Sequence, residues 1–130
     1  MIVIDTSILI DALHRKNSAL RTIRELQAAG EVLCTTQINV LELYKEIYHP
    51  AKSKSGLEKV RKLLDALIIL PIDDDVYDVF GKLSAELEDM GGTIGDFDEL
   101  IASIALINGA AIVTGDRHFQ RIPGLEVVSP

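Results

Sequence analysis

Ala111-Ile112-Val113-Thr114-Gly115-Asp116 is a short apolar run followed by two small residues and an acid. A run this short and apolar reads as a strand buried on both faces. The amino-terminal Met1-Ile2-Val3-Ile4-Asp5 has the same form. In an open parallel sheet, functional groups collect just past the carboxyl ends of the strands, at the point where strand order reverses. If these two strands are neighbours, Asp5 and Asp116 become neighbours too, although they come from opposite ends of the chain.

Working outward, three further strands are expected at Val32 to Thr35, Leu67 to Leu70 and Glu126 to Val128. Helix-period segments lie between them, near 6–14, 18–29, 36–48, 54–66, 74–90 and 97–108. Short β-branched runs alternating with longer helical ones predict an α/β fold built on a central parallel sheet of about five strands. Val76, Val79/Phe80, Leu83, Leu87 and Met90 recur every three to four residues and paint one core-facing stripe. Asp73-Asp74-Asp75 just before it reads as a helix start, where acids meet free amides and the positive end of the macrodipole.

The chain has 130 residues, enough for one continuous core, so residues 1–130 are expected to form a single domain. Apolar residues make up 48% and aromatics only 5%, which leaves the core to aliphatic side chains. The only cysteine, Cys34, lies in an expected strand and reads as a buried core thiol, consistent with a reducing cytoplasm. No basic leader and no apolar run of membrane-spanning length is present, so neither export nor membrane insertion is expected. The formal charge of -7 argues against broad electrostatic binding of nucleic acid. The charges are uneven, however. Half of the 20 acids lie between Asp73 and Glu99, and six of the 13 bases lie between Lys45 and Lys62. A local basic rim and two solvated helix faces are both compatible with that pattern.

Two more acids join Asp5 and Asp116. Asp98 opens the helix before the Ala111 to Val113 strand, and Asp98, Ala102, Ala105 and Gly109 follow helical spacing, so small residues let this face approach the sheet. Glu42 lies in the helix after the Val32 to Thr35 strand. Carboxylates sharing one pocket repel one another unless a cation supplies charge, so the cluster predicts a metal. All-oxygen ligands favour Mg2+ or Mn2+, and His14, His49 and His118 lack zinc-type spacing. Such a cation activates water and neutralises charge on a phosphodiester, which points to phosphate-ester hydrolysis. Taken singly, each acid has an ordinary reading: Asp5 a helix N-cap, Glu42 an exposed helix residue sharing a stripe with Asn39 and Glu46, Asp96, Asp98 and Glu99 first-turn acids, Asp116 a turn residue. Only their joint convergence on one end of one sheet favours function.

With these residues identified, the chain resembles the PIN-domain family, and within it the VapC-like toxins of toxin-antitoxin operons. The resemblance covers nearly the whole chain. It rests on Ile4-Asp5-Thr6-Ser7, on Leu41-Glu42-Leu43, on Ile94-Gly95-Asp96-Phe97-Asp98-Glu99-Leu100-Ile101-Ala102-Ser103, and on Val113-Thr114-Gly115-Asp116-Arg117-His118-Phe119 with Ile122-Pro123-Gly124-Leu125. It implies a three-layer α/β/α fold and a Mg2+- or Mn2+-dependent endoribonuclease. It also implies homodimerisation and inhibition by a cognate antitoxin protein. The family's catalytic and metal-binding acids fall on Asp5, Glu42, Asp98 and Asp116, with Asp5 and Asp98 first in line as direct ligands. Thr6 and Thr114 match hydroxyl positions lining the site. Asp98 is preferred to Asp96 on its spacing to Leu100-Ile101-Ala102, which leaves Asp96 as an N-cap. Lys52, Lys54, Arg117 and Arg121 are candidates for contacts to RNA phosphates. An antitoxin arginine entering the carboxylate cluster would supply the charge that a metal otherwise provides.

Other readings are weaker. An aspartyl phosphatase needs a second aspartate two residues after the first, where this chain has Ser7. A receiver domain wants paired acids after the first strand and a lysine after the last. A PIN-like module that binds RNA or a partner without turnover is the remaining alternative.

Overall fold

The structure is a computed structural model that describes residues 1–49 and 56–130. Five short strands, β1 (Ile2–Ile4), β2 (Leu33–Thr36), β3 (Ile68–Leu70), β4 (Ala111–Val113) and β5 (Val127–Val128), form one parallel sheet in the order β3-β2-β1-β4-β5. β1, the first strand in the chain, is therefore the central one, and it pairs with β4 in the register Ile4↔Val113. The order reverses between these two strands, so the expected neighbours are neighbours and the switch point lies where Asp5 and Thr114 leave the sheet.

Alternation along β1 separates two apolar layers. Ile2 and Ile4 pack with Ile8 and Leu9 of α1 (Thr6–Leu13), Ala19 of α2 (Asn17–Ala28), Leu43 of α3 (Gln37–Ile47) and Val60 of α4 (Gly56–Asp65). Val3 packs on the other side with Leu83 and Leu87 of α5 (Asp75–Asp89) and Ile101, Ile104 and Ala105 of α6 (Asp96–Ile107). This is the three-layer α/β/α arrangement. Each fully buried aliphatic side chain contributes about 1.5–3 kcal/mol, so the layers hold the strand ends firmly.

Several local expectations are corrected. Ile68 and Ile69 are half-exposed because β3 is an edge strand, so not every strand is buried on both faces. Met90 follows the α5 stripe in sequence but caps the helix and is 55% exposed. The Asp73-Asp74-Asp75 run does start α5, yet no side chain caps it; the carbonyls of Asp73 and Asp74 accept from the amides of Val76 and Tyr77 instead. Asp96 is not the N-cap of α6. That position belongs to Gly95, whose φ of +105° a residue with a side chain rarely adopts, and Asp96 is the first helical residue. Between β4 and β5 the chain makes a 3-10 turn, Arg117–Arg121, that was not expected; its fully buried Phe119 anchors it in the α5/α6 layer.

Candidate active site

Asp5 occupies the N-cap position of α1, but its side chain does not cap that helix. It is turned inward, 6% exposed. Thr114 Oγ1 donates to its Oδ2 at 2.6 Å and Asn39 Nδ2 donates to its Oδ1 at 3.1 Å. The capping reading of Asp5 therefore fails for its carboxylate. Asp116 caps the 3-10 turn, its Oδ1 accepting from the His118 amide at 2.9 Å, while its own amide donates to Thr114 Oγ1 at 3.0 Å. Glu42 reaches the same place from α3: Thr6 Oγ1 donates to its Oε1 at 2.6 Å. It is half-buried beside a fully buried Asn39, so the stripe they share faces the site and not solvent.

Asp98, in the first turn of α6, is half-buried, and no hydrogen bond reaches its carboxylate among the described residues. Its neighbour Glu99 is fully buried: one carboxylate oxygen accepts from the Ile94 amide at 3.3 Å, tying down the entry to α6, and the other has no partner among the described residues. Glu99 is thus a first-turn acid, as expected, but a fully buried one.

Burial sets the electrostatics. The Asp98 carboxyl is pushed up from 3.8 to about 6, first by burial and then by the charges of Asp5, Asp116 and Glu42, with His118 opposing. Burial also raises Asp5, against hydrogen bonds from Thr114, the Thr6 backbone and Asn39, and it raises Glu42 against the hydrogen bond from Thr6. Hence four acids from β1, α3, α6 and the end of β4 feel one another as a single cluster. Ligand atoms of Asp98, Asp116 and His118 lie within 4.8 Å of one another, close enough to share an ion. The donor set fits a hard divalent cation: oxygens predominate, and Asp98 has no hydrogen-bond donor among the described residues and only His118 to oppose the repulsion. Asp5, expected first in line, accepts from Asn39 on Oδ1 and from both Thr114 and, at 3.5 Å, Ser7 on Oδ2.

These shifts predict an inverted stability profile for the metal-free protein. Between its ordinary value and its folded value, Asp98 holds a proton in the folded state that the unfolded chain has released. Its contribution to stability is therefore present at low pH and lost as pH rises through about 4 to 6. Thermal unfolding without metal should register this loss, and Asp98→Asn should remove it. A wild-type curve with no component assignable to Asp98 counts against the cluster.

The remaining sequence candidates fare unequally. Asp96 is exposed on the outer side of the first turn and is absent from the hydrogen-bonded cluster. Arg117 is exposed and lines a groove of about 230 Å³ with Thr114, Asp116 and Gln120. Arg121 donates to the Gly92 carbonyl, which gives it a structural partner in place of a phosphate. Lys52 and Lys54 lie outside the described residues. Four residues were missed. Asn39 lies one turn before Glu42, a spacing that placed it on the same face. His118 lies two residues after Asp116, which a search for zinc-type spacing does not register. Lys45 and Phe97 line a second groove, of about 280 Å³, with Thr6 and Glu42. Their positions next to Glu42 and Asp98 in helical order were the available clue.

Comparison with known proteins agrees with this fold. The profile of the PIN domain family matches residues 2–125. Ribonuclease VapC2 of Rickettsia felis is 30% identical over 123 residues, covering 94% of this chain and 92% of the relative. The tRNA(fMet)-specific endonuclease VapC of Salmonella typhimurium is 30% identical over 128 residues, covering 95% and 93%. Among solved structures, the fold is similar to a chain of VapBC2 from Rickettsia felis bound to a DNA fragment from their promoter, with a TM-score of 0.90, 28% identity and coverage of 100% and 99%. It is also similar to VapBC-1 from nontypeable Haemophilus influenzae, with a TM-score of 0.86, 25% identity and coverage of 99% and 98%.

Proposed function

Since the chain belongs to the PIN domain family, we propose that it is a divalent-metal-dependent endoribonuclease, the toxin of a type II toxin-antitoxin pair, with residues 1–130 acting as one domain. The observation that carries this reading is Asp98: a half-buried carboxylate, repelled by Asp5, Asp116 and Glu42, with no hydrogen-bond donor of its own among the described residues. Such a group is stabilised by a cation in the cluster. Relatives of similar length named as ribonucleases support the substrate class.

Asp98, Asp116 and Asp5 would hold Mg2+ or Mn2+, with Glu42 completing the set. A cation bound there supplies charge neutralisation of the phosphodiester and an activated water. The protein's own share is positional. Thr114 and Thr6 direct hydroxyl protons at Asp5 and Glu42 and so keep both carboxylates as acceptors. Phe97, 49% exposed beside Asp98, offers a face on which an unstacked base can lie, and Lys45 in the same groove offers a charge for its phosphate. Arg117 serves the other groove.

An antitoxin protein and a second copy of this chain are the proposed partners, with action in the cytoplasm. No helix among the described residues is long and apolar enough to cross a membrane. Exposed Leu41 and Tyr48 at α3, and Ile72 and Tyr77 near the β3 edge, provide apolar surface for such partners.

The test is a titration of Mn2+ into metal-free protein with structured RNA as substrate. Cleavage should be absent in chelator and rise with metal. No metal-dependent cleavage of any RNA tried would favour a PIN-like module that binds RNA or a partner without turnover.

A further inference from the structure

Asn39 is the third residue of α3, fully buried, and takes part in the cap of that helix. Its backbone amide donates to Thr36 Oγ1 at 3.2 Å, and its side-chain oxygen accepts from the Thr36 amide at 3.1 Å and from the Thr36 hydroxyl at 2.7 Å. A backbone N–H can only donate, so the side-chain atom facing it must be oxygen, and the cap decides which way this amide is turned. The nitrogen then points the other way. There it meets Asp5 Oδ1 at 3.1 Å and Thr6 Oγ1 at 2.9 Å.

Each donated hydrogen constrains the next group. Thr6 Oγ1 accepts from Asn39, so its own proton is directed to Glu42 Oε1. On the far side of Asp5, the Asp116 amide fills an acceptor position of Thr114 Oγ1, which sends the Thr114 proton to Asp5 Oδ2. Both oxygens of Asp5 and one of Glu42 are held as acceptors by chains that start at backbone amides. Backbone amides do not change polarity, so neither do the chains.

We propose that Asn39 is the positioning residue of this site: its cap-fixed amide sets the direction of the hydrogen bonds to Asp5 and, through the Thr6 hydroxyl, to Glu42, presenting those two carboxylates to a divalent cation as acceptors. Only the kinetic consequence rests on the nuclease reading; the proton arrangement stands without it.

Asn39→Asp tests the assignment because it keeps the size and the oxygen facing Thr36 but replaces both N–H donors by an acceptor. It should lower kcat about 10- to 100-fold, the scale on which groups that orient metal ligands act. KM for RNA should change little, and Mn2+ affinity should be unchanged or tighter, since negative charge has been added. A residue that served only the helix cap would leave kcat unchanged. A second arm needs neither activity nor metal. In 15N-labelled protein the two Asn39 side-chain hydrogens should resonate apart, one shifting in Asp5→Ala and the other in Thr6→Val. Wild-type kcat in Asn39→Asp, or an amide pair that moves in neither variant, overturns the proposal. If Asn39→Asp does not fold, the resonances decide. A wild-type protein that cuts no RNA sinks the nuclease reading and leaves the resonance arm standing.

Discussion

Asp98→Asn should abolish RNA cleavage, a loss on the order of 10³-fold or more, the scale for removing a group that stabilises transition-state charge, while making the metal-free protein harder to melt at neutral pH. The two effects share one cause. Asp98 is repelled by Asp5, Asp116 and Glu42 and has no donor to offset the repulsion, so neutralising it relieves strain in the empty cluster. The same change removes a charge that a cation needs. An ordinary first-turn acid would behave oppositely: losing it would weaken the macrodipole interaction by about 0.3–1 kcal/mol and leave catalysis alone. Asp96→Asn is the internal control, because Asp96 shares the helix turn but is exposed. It should cut RNA at nearly the wild-type rate. If Asp96→Asn is dead and Asp98→Asn active, the assignment of the third acid is wrong.

Phe119→Ala should cost about 3–5 kcal/mol, the usual range for emptying a phenylalanine site in a core. Against a total stability of about 5–15 kcal/mol for a natural protein, that is a large fraction, and it corresponds to a fall in Tm of roughly 10–20 °C for a chain of this size. Phe119 is fully buried, in one core cluster with Ile101, Ile104, Ile112 and Ile122. It also anchors the 3-10 turn whose cap is Asp116. Cleavage should therefore fall at temperatures where the variant is still folded. A drop in Tm of only a few degrees would mean that the turn is held by something else.

What could be read from the residues divides along a physical line. The pairing of β1 with β4 was legible because both strands are short apolar runs ending in an acid, and two such ends have one natural meeting point. Asp5 and Asp116 were legible for the same reason, Asp98 from its place at the start of the helix before β4, and Glu42 almost wholly from the family resemblance. Position within the sheet was not: Ile68 and Ile69 look like any buried strand, and only the order of all five strands reveals that they sit at an edge. The stripe of Asn39, Glu42 and Glu46, taken alone, looks like a solvent face, since helical spacing says which residues share a face but not what that face meets. Gly95 took the cap position from Asp96 because the backbone there needs a positive φ, a demand that the preference of aspartate for caps does not express. His118 was set aside by a rule about spacing along the chain, whereas its relation to Asp98 is made across space.

The strand order also governs when the molecule becomes complete. β1 precedes the other four strands in this sequence, yet its partner β4 and the hydroxyl of Thr114 lie far downstream, Thr114 109 residues after Asp5. Contacts that close so long a loop form late. A nascent chain can bury α1 through α4 against β1 and β2 and still have no cleft. For an enzyme that would destroy RNA, this topology is a built-in delay: the proposed site is assembled only after β4 and Thr114 have joined the sheet.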